Sequence, residues 1–276
     1  MPVQPESAIL PPMSHFAAET VVESVEPGRW STRLSSHWNI GENSNGGYAL
    51  TPVLRAVQEL VDQPDPITVT THFFRPGRGD CDGEVTAEIL RAGRRLTSAT
   101  GSLSQEGKTR LTVLAAFGDL SGATVSEHDI TSPPPNLPPP DECLLRSGTD
   151  QGVELPIMDR ADVRIRPEHA KSGGHHSAEL EGWIRFADGT EPTAMALPFF
   201  ADAFPPSVFS LMGHVGWVPT VELTVHVRRR PVPGWLCARF ECDDLHDGRL
   251  IESGRIWDSN GALVAQSRQI GLLLTD

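Results

Sequence analysis

One aspartate stands alone in the most apolar run of the chain. Ala194-Met195-Ala196-Leu197-Pro198-Phe199-Phe200-Ala201-Asp202-Ala203-Phe204 has no other polar side chain, and Pro205-Pro206 closes it. Such a run reads as an element buried on most faces, entered through Asp188-Gly189-Thr190-Glu191-Pro192 with proline near the first helical position. A carboxylate there is costly unless it is hydrogen-bonded or neutralised. Two readings are open: a capped or paired structural aspartate, or a general base whose pKa burial raises. Other chemistries lack their patterns. There is no G-x-S-x-G, and neither Ser172-Gly173-Gly174 nor Ser253-Gly254 forms a nucleophile elbow. His175 and His176 are adjacent, so on a strand they point to opposite sides, a poor start for a metal site. Cys81, Cys143, Cys237 and Cys242 include no CxxC, and the last two have no second pair at ligand spacing. We therefore expect no metal and no cofactor. His214, Trp217 and Trp235 read as packing residues.

The chain that must position Asp202 has 276 residues, 38% of them apolar and 21% charged, which suits one large or two ordinary globular units. No apolar run reaches the roughly 20 residues that span a bilayer, so no membrane insertion is expected. Residues 1–12 have no basic residue ahead of an apolar segment, unlike a secretory signal, and with reduced thiols the expected location is cytoplasmic. A net charge of −13 argues against nucleic acid as a partner. Arg91, Arg94-Arg95 and Arg228-Arg229-Arg230 are local exceptions. Each cluster is either a solvated face or a means of steering a polyanionic small molecule.

Strand-like runs around 15–24 and 30–40 lead to the turn-rich Gly41-Glu42-Asn43-Ser44-Asn45-Gly46-Gly47. From Tyr48 to Val61, apolar residues recur at helical spacing until Pro64 and Pro66. Strands are predicted over 67–75, 83–92, 96–104 and 109–117. This is an α+β meander rather than a βαβ unit, so a dinucleotide fold is disfavoured. Three segments follow: an N-terminal unit over 1–120, a Pro-rich linker over 121–150 holding the tract 132–140, and a C-terminal unit over 151–276.

The C-terminal unit repeats the first. Arg75-Pro76 precedes Gly93 by 17 positions, and Arg230-Pro231 precedes Gly248 by 17, an offset of 155 that drifts to 154 between Gly107 and Gly261. The element order repeats too: two strands (159–166 and 177–186), the apolar helix, then a four-strand meander from Val218. Two such units would sit side by side as a pseudo-dimer, with sites at the seam. Asp202 falls on Gly47, and Gln269 falls near Ala115 or Ala116. One copy keeps polar groups where the other has lost them, so one complete site is expected.

His72-Phe73-Phe74-Arg75-Pro76-Gly77 and Glu88-Ile89-Leu90-Arg91-Ala92-Gly93-Arg94 resemble the N-terminal half of the double-hotdog acyl-CoA thioesterases of the thioesterase II type. Asn45-Gly46-Gly47 fits that family's Gly-Gly opening of the first helix. Asp202, Pro219-Thr220-Val221-Glu222-Leu223-Thr224 and Leu263-Val264-Ala265-Gln266-Ser267-Arg268-Gln269 resemble its catalytic Asp, Thr and Gln segments. The resemblance implies a tandem hotdog fold, with two antiparallel sheets each wrapped around a central helix. It implies Asp202, Thr220 and Gln269 as a water-activating trio, with the backbone at Gly46 or Gly47 polarising the carbonyl and acyl-CoA as substrate. Thr224 stays open beside Thr220, four residues on and on the same side of a regular strand; choosing Thr220 requires one extra residue before Pro231. A hotdog hydratase or dehydratase and a non-catalytic acyl-thioester binding protein are the alternatives, although no histidine follows Asp202 within five residues. Exposed sheet edges suggest a homodimer of the double unit.

Overall fold

Asn45 starts the main helix of the first half. Its Oδ1 accepts from the Tyr48 N–H at 2.9 Å, Pro52 occupies the first turn of the continuation, and the helix stops at Val61 ahead of Pro64. The computed structural model describes residues 14–122, 128, 130–213 and 218–273. Its first half holds α1 (His15–Ala18), β1 (Glu23–Glu26), β2 (Arg29–Leu34), β3 (Asn39–Ile40), β4 (Asn43–Ser44), α2 (Gly46–Ala49) and α3 (Thr51–Leu60). It continues with β5 (Asp65–Phe73), β6 (Gly77–Arg78), β7 (Cys81–Arg91), β8 (Thr97–Gln105) and β9 (Lys108–Gly118). The second half starts with β10 (Leu144–Leu145), α4 (Gly148–Gln151), β11 (Ala161–Ile165), α5 (Pro167–Ala170), β12 (Glu179–Phe186), α6 (Leu197–Asp202) and α7 (Val208–Met212). β13 (Thr220–Val227), β14 (Leu236–His246), β15 (Arg249–Trp257) and β16 (Leu263–Leu272) complete it. The strand expected across 15–24 is in part the short helix α1, capped by Ser14.

The two sheets expected from the resemblance are one. The thirteen main strands run β1-β2-β7-β8-β9-β5-β13-β16-β15-β14-β12-β11-β10, all pairs antiparallel. Read outwards from the β5–β13 seam, six strands follow in the same order on each side, with β10 added beyond the sixth on one of them, which places a pseudo-twofold axis at the seam. Pairing at the seam, with Thr224 opposite Thr70 and Glu222 opposite His72, satisfies two rows of backbone groups that separate sheets would leave open. The remaining edges, β1 and β10, are four and two residues long. Short edges resist strand addition, so edge exposure gives little reason to expect a homodimer.

Turn glycines misled the repeat in one respect. The β7–β8 loop spans 92–96 and the β14–β15 turn only Asp247-Gly248, whereas the β8–β9 turn is Glu106-Gly107 and the β15–β16 loop spans 258–262. Long and short loops have exchanged places. Gly93 and Gly248 are therefore not equivalent turns, nor are Gly107 and Gly261, and the two length changes cancel to restore the offset.

The core is shared by both halves. Trp38 and Tyr48 stack at 4.9 Å, Phe199 meets Trp38 edge-on at 5.0 Å, and Phe16, Phe186 and Phe200 close the cluster. Each fully buried aromatic contributes about 1.5–3 kcal/mol of burial free energy. α3 lies against β7, β8 and β9, while α6 lies against α2, β13, β15 and β16.

The proline tract is laid along the second half rather than hanging free between units. Its carbonyls accept from indoles, Ser132 from Trp257 Nε1 and Pro138 from Trp183 Nε1, both at 2.7 Å. Leu144–Leu145 then joins the sheet beside β11. An extended segment without its own ladder offers such carbonyls freely.

Candidate active site

Asp202 ends α6, and its carboxylate crosses the seam onto the start of α2. Oδ2 accepts from the Gly47 N–H and from Asn45 Nδ2, both at 2.9 Å, and Asn45 Nδ2 also reaches the Asp202 carbonyl oxygen at 2.7 Å. A helix start favours an anion in this position. Gly47 and Asp202 are 155 residues apart, the offset of the repeat: next to a twofold axis a residue touches its own counterpart. Close approach of α2 to α6 requires glycine there. A Cβ on Gly47 would lie 2.7 Å from the Pro198 oxygen and 2.8 Å from Phe199 Cα, and one on Gly46 would lie 2.9 Å from the Phe73 ring.

Burial is the largest influence on the Asp202 carboxyl and pushes its pKa up to about 6. The Gly47 N–H pulls it back, the charge of Glu252 pushes it further, and the Gly46 N–H and Asn45 amide pull back again.

A second row of polar groups comes from β13, β15 and β16. The Thr220 hydroxyl donates to Gln269 Oε1 at 3.1 Å, and Gln269 Nε2 donates to Glu252 Oε1 at 2.6 Å. Glu252 Oε2 accepts from the Ser207 N–H at 2.7 Å. Glu252 is 3% exposed, and burial raises its pKa. The extra residue that Thr220 requires is Val221: pairing of β13 with β16 skips between Thr220 and Glu222, a β-bulge that re-aims the first side chain.

Asp202, Thr220, Gln269, Glu252 and Gly46 all line one cavity of about 680 Å³. Its apolar wall includes Phe73, Phe204, Phe209, Phe240 and Leu250, and the exposed Phe74 and Arg75 also line it. Gly47 does not line it, and its N–H is taken by Asp202, so of the two glycines only Gly46 faces the cavity. Thr224 lies outside. Its hydroxyl pairs with Thr70 Oγ1 across the seam at 2.9 Å and donates to Glu222 on its own strand, so the structure separates it from the other candidates.

Sequence reasoning missed two residues of this cavity. Glu252 carried a signal: β15 alternates, with Leu250, Glu252, Gly254 and Ile256 inward, so a glutamate stands in a row of buried positions. Arg146 carried none, being part of the presumed linker. It is 4% exposed and spans α4 and the end of α6, donating to Gln151 Oε1 at 2.9 and 3.1 Å and to the Ala203 carbonyl at 2.6 Å. Burial pulls its pKa down to about 10, and the charge of Asp202 holds it up.

The remaining candidates fall elsewhere. Arg230 pairs with Asp65 at 2.9 Å and with Asp119 at 3.6 Å, and Arg229 donates to the Leu263 carbonyl; neither lines the cavity. Through Arg230 this cluster ties the segment after β13 to the start of β5. His175 lies against His169 and His176, with ring centroids 4.5 and 4.3 Å away. Among the described residues no group of three or more His, Cys, Asp or Glu side chains could hold a metal. Trp235 stacks under Arg185. His214 and Trp217 lie outside the described residues.

Two family models match the chain. That of the acyl-CoA thioesterase N-terminal domain covers residues 34–118, and that of the acyl-CoA thioesterase C-terminal domain covers 140–273. A candidate thioesterase II from Thermobifida fusca YX is 32% identical and superposes with a TM-score of 0.86 over 95% of this chain and 98% of that one. A hotdog protein of unknown function from Alicyclobacillus acidocaldarius gives 0.82 at 19% identity, covering 96% and 99% of the two chains. Acyl-CoA thioesterase II TesB2 from Mycobacterium marinum gives 0.72 at 20%, covering 95% and 98%. An uncharacterised protein of Mycobacterium tuberculosis H37Rv is 25% identical over 264 residues, 87% of this chain and 89% of that one.

Proposed function

The chain belongs to the acyl-CoA thioesterase family, and from that premise we propose that it hydrolyses fatty acyl-CoA to free acid and CoA with Asp202 as general base. The observation that carries this reading is the meeting, in one cavity, of a carboxylate held at a helix start and a Thr–Gln pair from the opposite wall. Asp202 Oδ2 is spent on Gly47 and Asn45. Oδ1 takes no part in those two bonds and is the oxygen proposed to take the proton. Water held between Oδ1 and the Thr220–Gln269 pair gives up that proton as its oxygen attacks the thioester carbonyl carbon. The tetrahedral intermediate then expels the CoA thiolate, which needs no acid because a thiol of pKa about 8.5 leaves well. The Gly46 N–H, which faces the cavity and also bears on Asp202, is the backbone donor proposed to turn to the oxyanion. Arg75 at the exposed end is proposed to meet CoA phosphate.

A reducing, cytoplasmic setting is proposed on the cysteine spacing alone. The hydratase alternative is weaker, because no described histidine lines the cavity. A panel of acyl-CoA chain lengths with a thiol-reactive dye tests the proposal. Thiol release on at least part of the panel is the expected result. Binding without release would favour the acyl-thioester binding protein, and altered acyl groups without release the hydratase.

The pH profile is a second expectation. Only ionised Asp202 can take a proton, so kcat/KM rises with pH through about 6 and falls about tenfold per unit below it. An ordinary aspartate would put this limb near 4. The stability contribution runs the other way. With the folded pKa above the unfolded one, the folded chain holds this proton more tightly, and that advantage is lost as pH rises from about 4 to about 6.

A further inference from the structure

We propose that Glu252 is a positioning residue that fixes the direction of the Gln269 amide and so makes the Thr220 hydroxyl a hydrogen-bond acceptor toward the attacking water. The inference rests on the hydrolytic reading above, and it goes beyond the trio to the group that orients two of its members.

An amide side chain has an oxygen at one end and an NH2 at the other, and nothing intrinsic decides which way round it sits. Glu252 decides it here. Its carboxylate accepts at both oxygens, from the Ser207 N–H at 2.7 Å and from Gln269 Nε2 at 2.6 Å. With Nε2 committed to a buried acceptor, Gln269 Oε1 must face Thr220, and the Thr220 hydroxyl must donate to it, at 3.1 Å. A hydroxyl has one proton. Once that proton points at Gln269, only lone pairs remain for the cavity. A water there gives one proton toward Asp202 and the other to Thr220 Oγ1, which leaves its own lone pair for the carbonyl carbon. If the amide were reversed, Thr220 could donate to the water and occupy the lone pair that attack requires.

Among the described residues the carboxylate has no ion-pair partner. Titratable groups that bear on it include Asp202 across the cavity, Asp243 and Cys242. A buried glutamate without an ion-pair partner among the described residues is a poor choice for packing; the groups that Ser207 and Gln269 turn toward it explain why it is retained.

Glu252→Gln tests the assignment, because a carboxamide has only one acceptor. The Ser207 N–H claims the new oxygen, the new NH2 faces Gln269, and the Gln269 amide turns over. The expected result is a fall in kcat on the order of 10–100-fold, with KM within about twofold and an unchanged melting temperature. Combining Glu252→Gln with Gln269→Glu reverses the bond between the two side chains but restores the two that flank it: Ser207 N–H donates to the amide oxygen, the amide NH2 donates to the new carboxylate, and Thr220 again donates to residue 269. This double variant is expected to recover at least about tenfold in kcat over Glu252→Gln. A Glu252→Gln variant within about threefold of the parent in kcat, or a folded double variant no faster than the single one, would overturn the proposal.

A readout independent of turnover is the side-chain amide signal of Gln269, identified by its disappearance in Gln269→Glu. In the parent one of its protons should be displaced downfield by the carboxylate, and in Glu252→Gln that displacement should vanish. If the parent hydrolyses no acyl-CoA yet shows the displaced proton, the hydrolytic reading fails and the orientation by Glu252 stands. If the proton is not displaced, the orientation itself is wrong.

Discussion

Asp202→Asn is expected to lose about 10²–10⁴-fold in kcat and to stay folded. Asparagine keeps the shape of the side chain, and its Oδ1 can stand where Asp202 Oδ2 accepts from Gly47 and Asn45. The Nδ2 group then faces the cavity, where it can neither take a proton nor hold the water by a lone pair. The melting temperature at pH 7 should hold or rise, because a carboxyl pushed up to about 6 by burial is costly to keep ionised. The acidic limb near pH 6 should vanish from whatever rate remains. Circular dichroism melts and an acyl-CoA pH series read all three effects. A rate within threefold of the parent would remove Asp202 from the chemistry, and a collapsed fold would instead revive the reading of Asp202 as a structural cap.

The order of elements and the uneven decay of the repeat were open to sequence reasoning because both rest on local pattern. Helical spacing from Tyr48 to Val61 led to α2 and α3, and alternation led to the meander β13 to β16. Joining β5 to β13 was not legible: a seam between strands 155 residues apart depends on the pairing of two edges, which no window of sequence contains. Thr220 and Thr224 could not be separated without the skip at Val221, since a regular strand puts both on one face. Glu252 was readable in principle from the inward row of β15, yet a single glutamate in a strand usually faces water. Arg146 was not readable, because its partners, Gln151 on α4 and the Ala203 carbonyl after α6, come together only in the fold.

Gly47→Ala is the second large expectation, and it bears on the seam itself. Alanine is the better helix former by about 1 kcal/mol, so in a roomy helix the change would stabilise. Here the added carbon would meet the Pro198 oxygen at 2.7 Å, Phe199 Cα at 2.8 Å and Asp202 Cβ at 3.0 Å. Two of these are backbone atoms and cannot rotate away, so α2 and α6 must separate. Overpacking of this kind costs about 1–3 kcal/mol, which outweighs the gain in propensity. The same separation draws the Gly47 N–H and the Asn45 amide away from Oδ2 and moves the proton-accepting Oδ1 relative to Thr220. We therefore expect a lower midpoint in chemical denaturation together with a loss in kcat larger than the change in KM. Gly122→Ala is the control, since its new carbon would meet nothing within 4 Å among the described residues and should leave both readouts near the parent. A Gly47→Ala chain as stable and as active as the parent would mean that the two helices do not meet at this distance, and the crossing of Asp202 onto α2 would have to be abandoned with it.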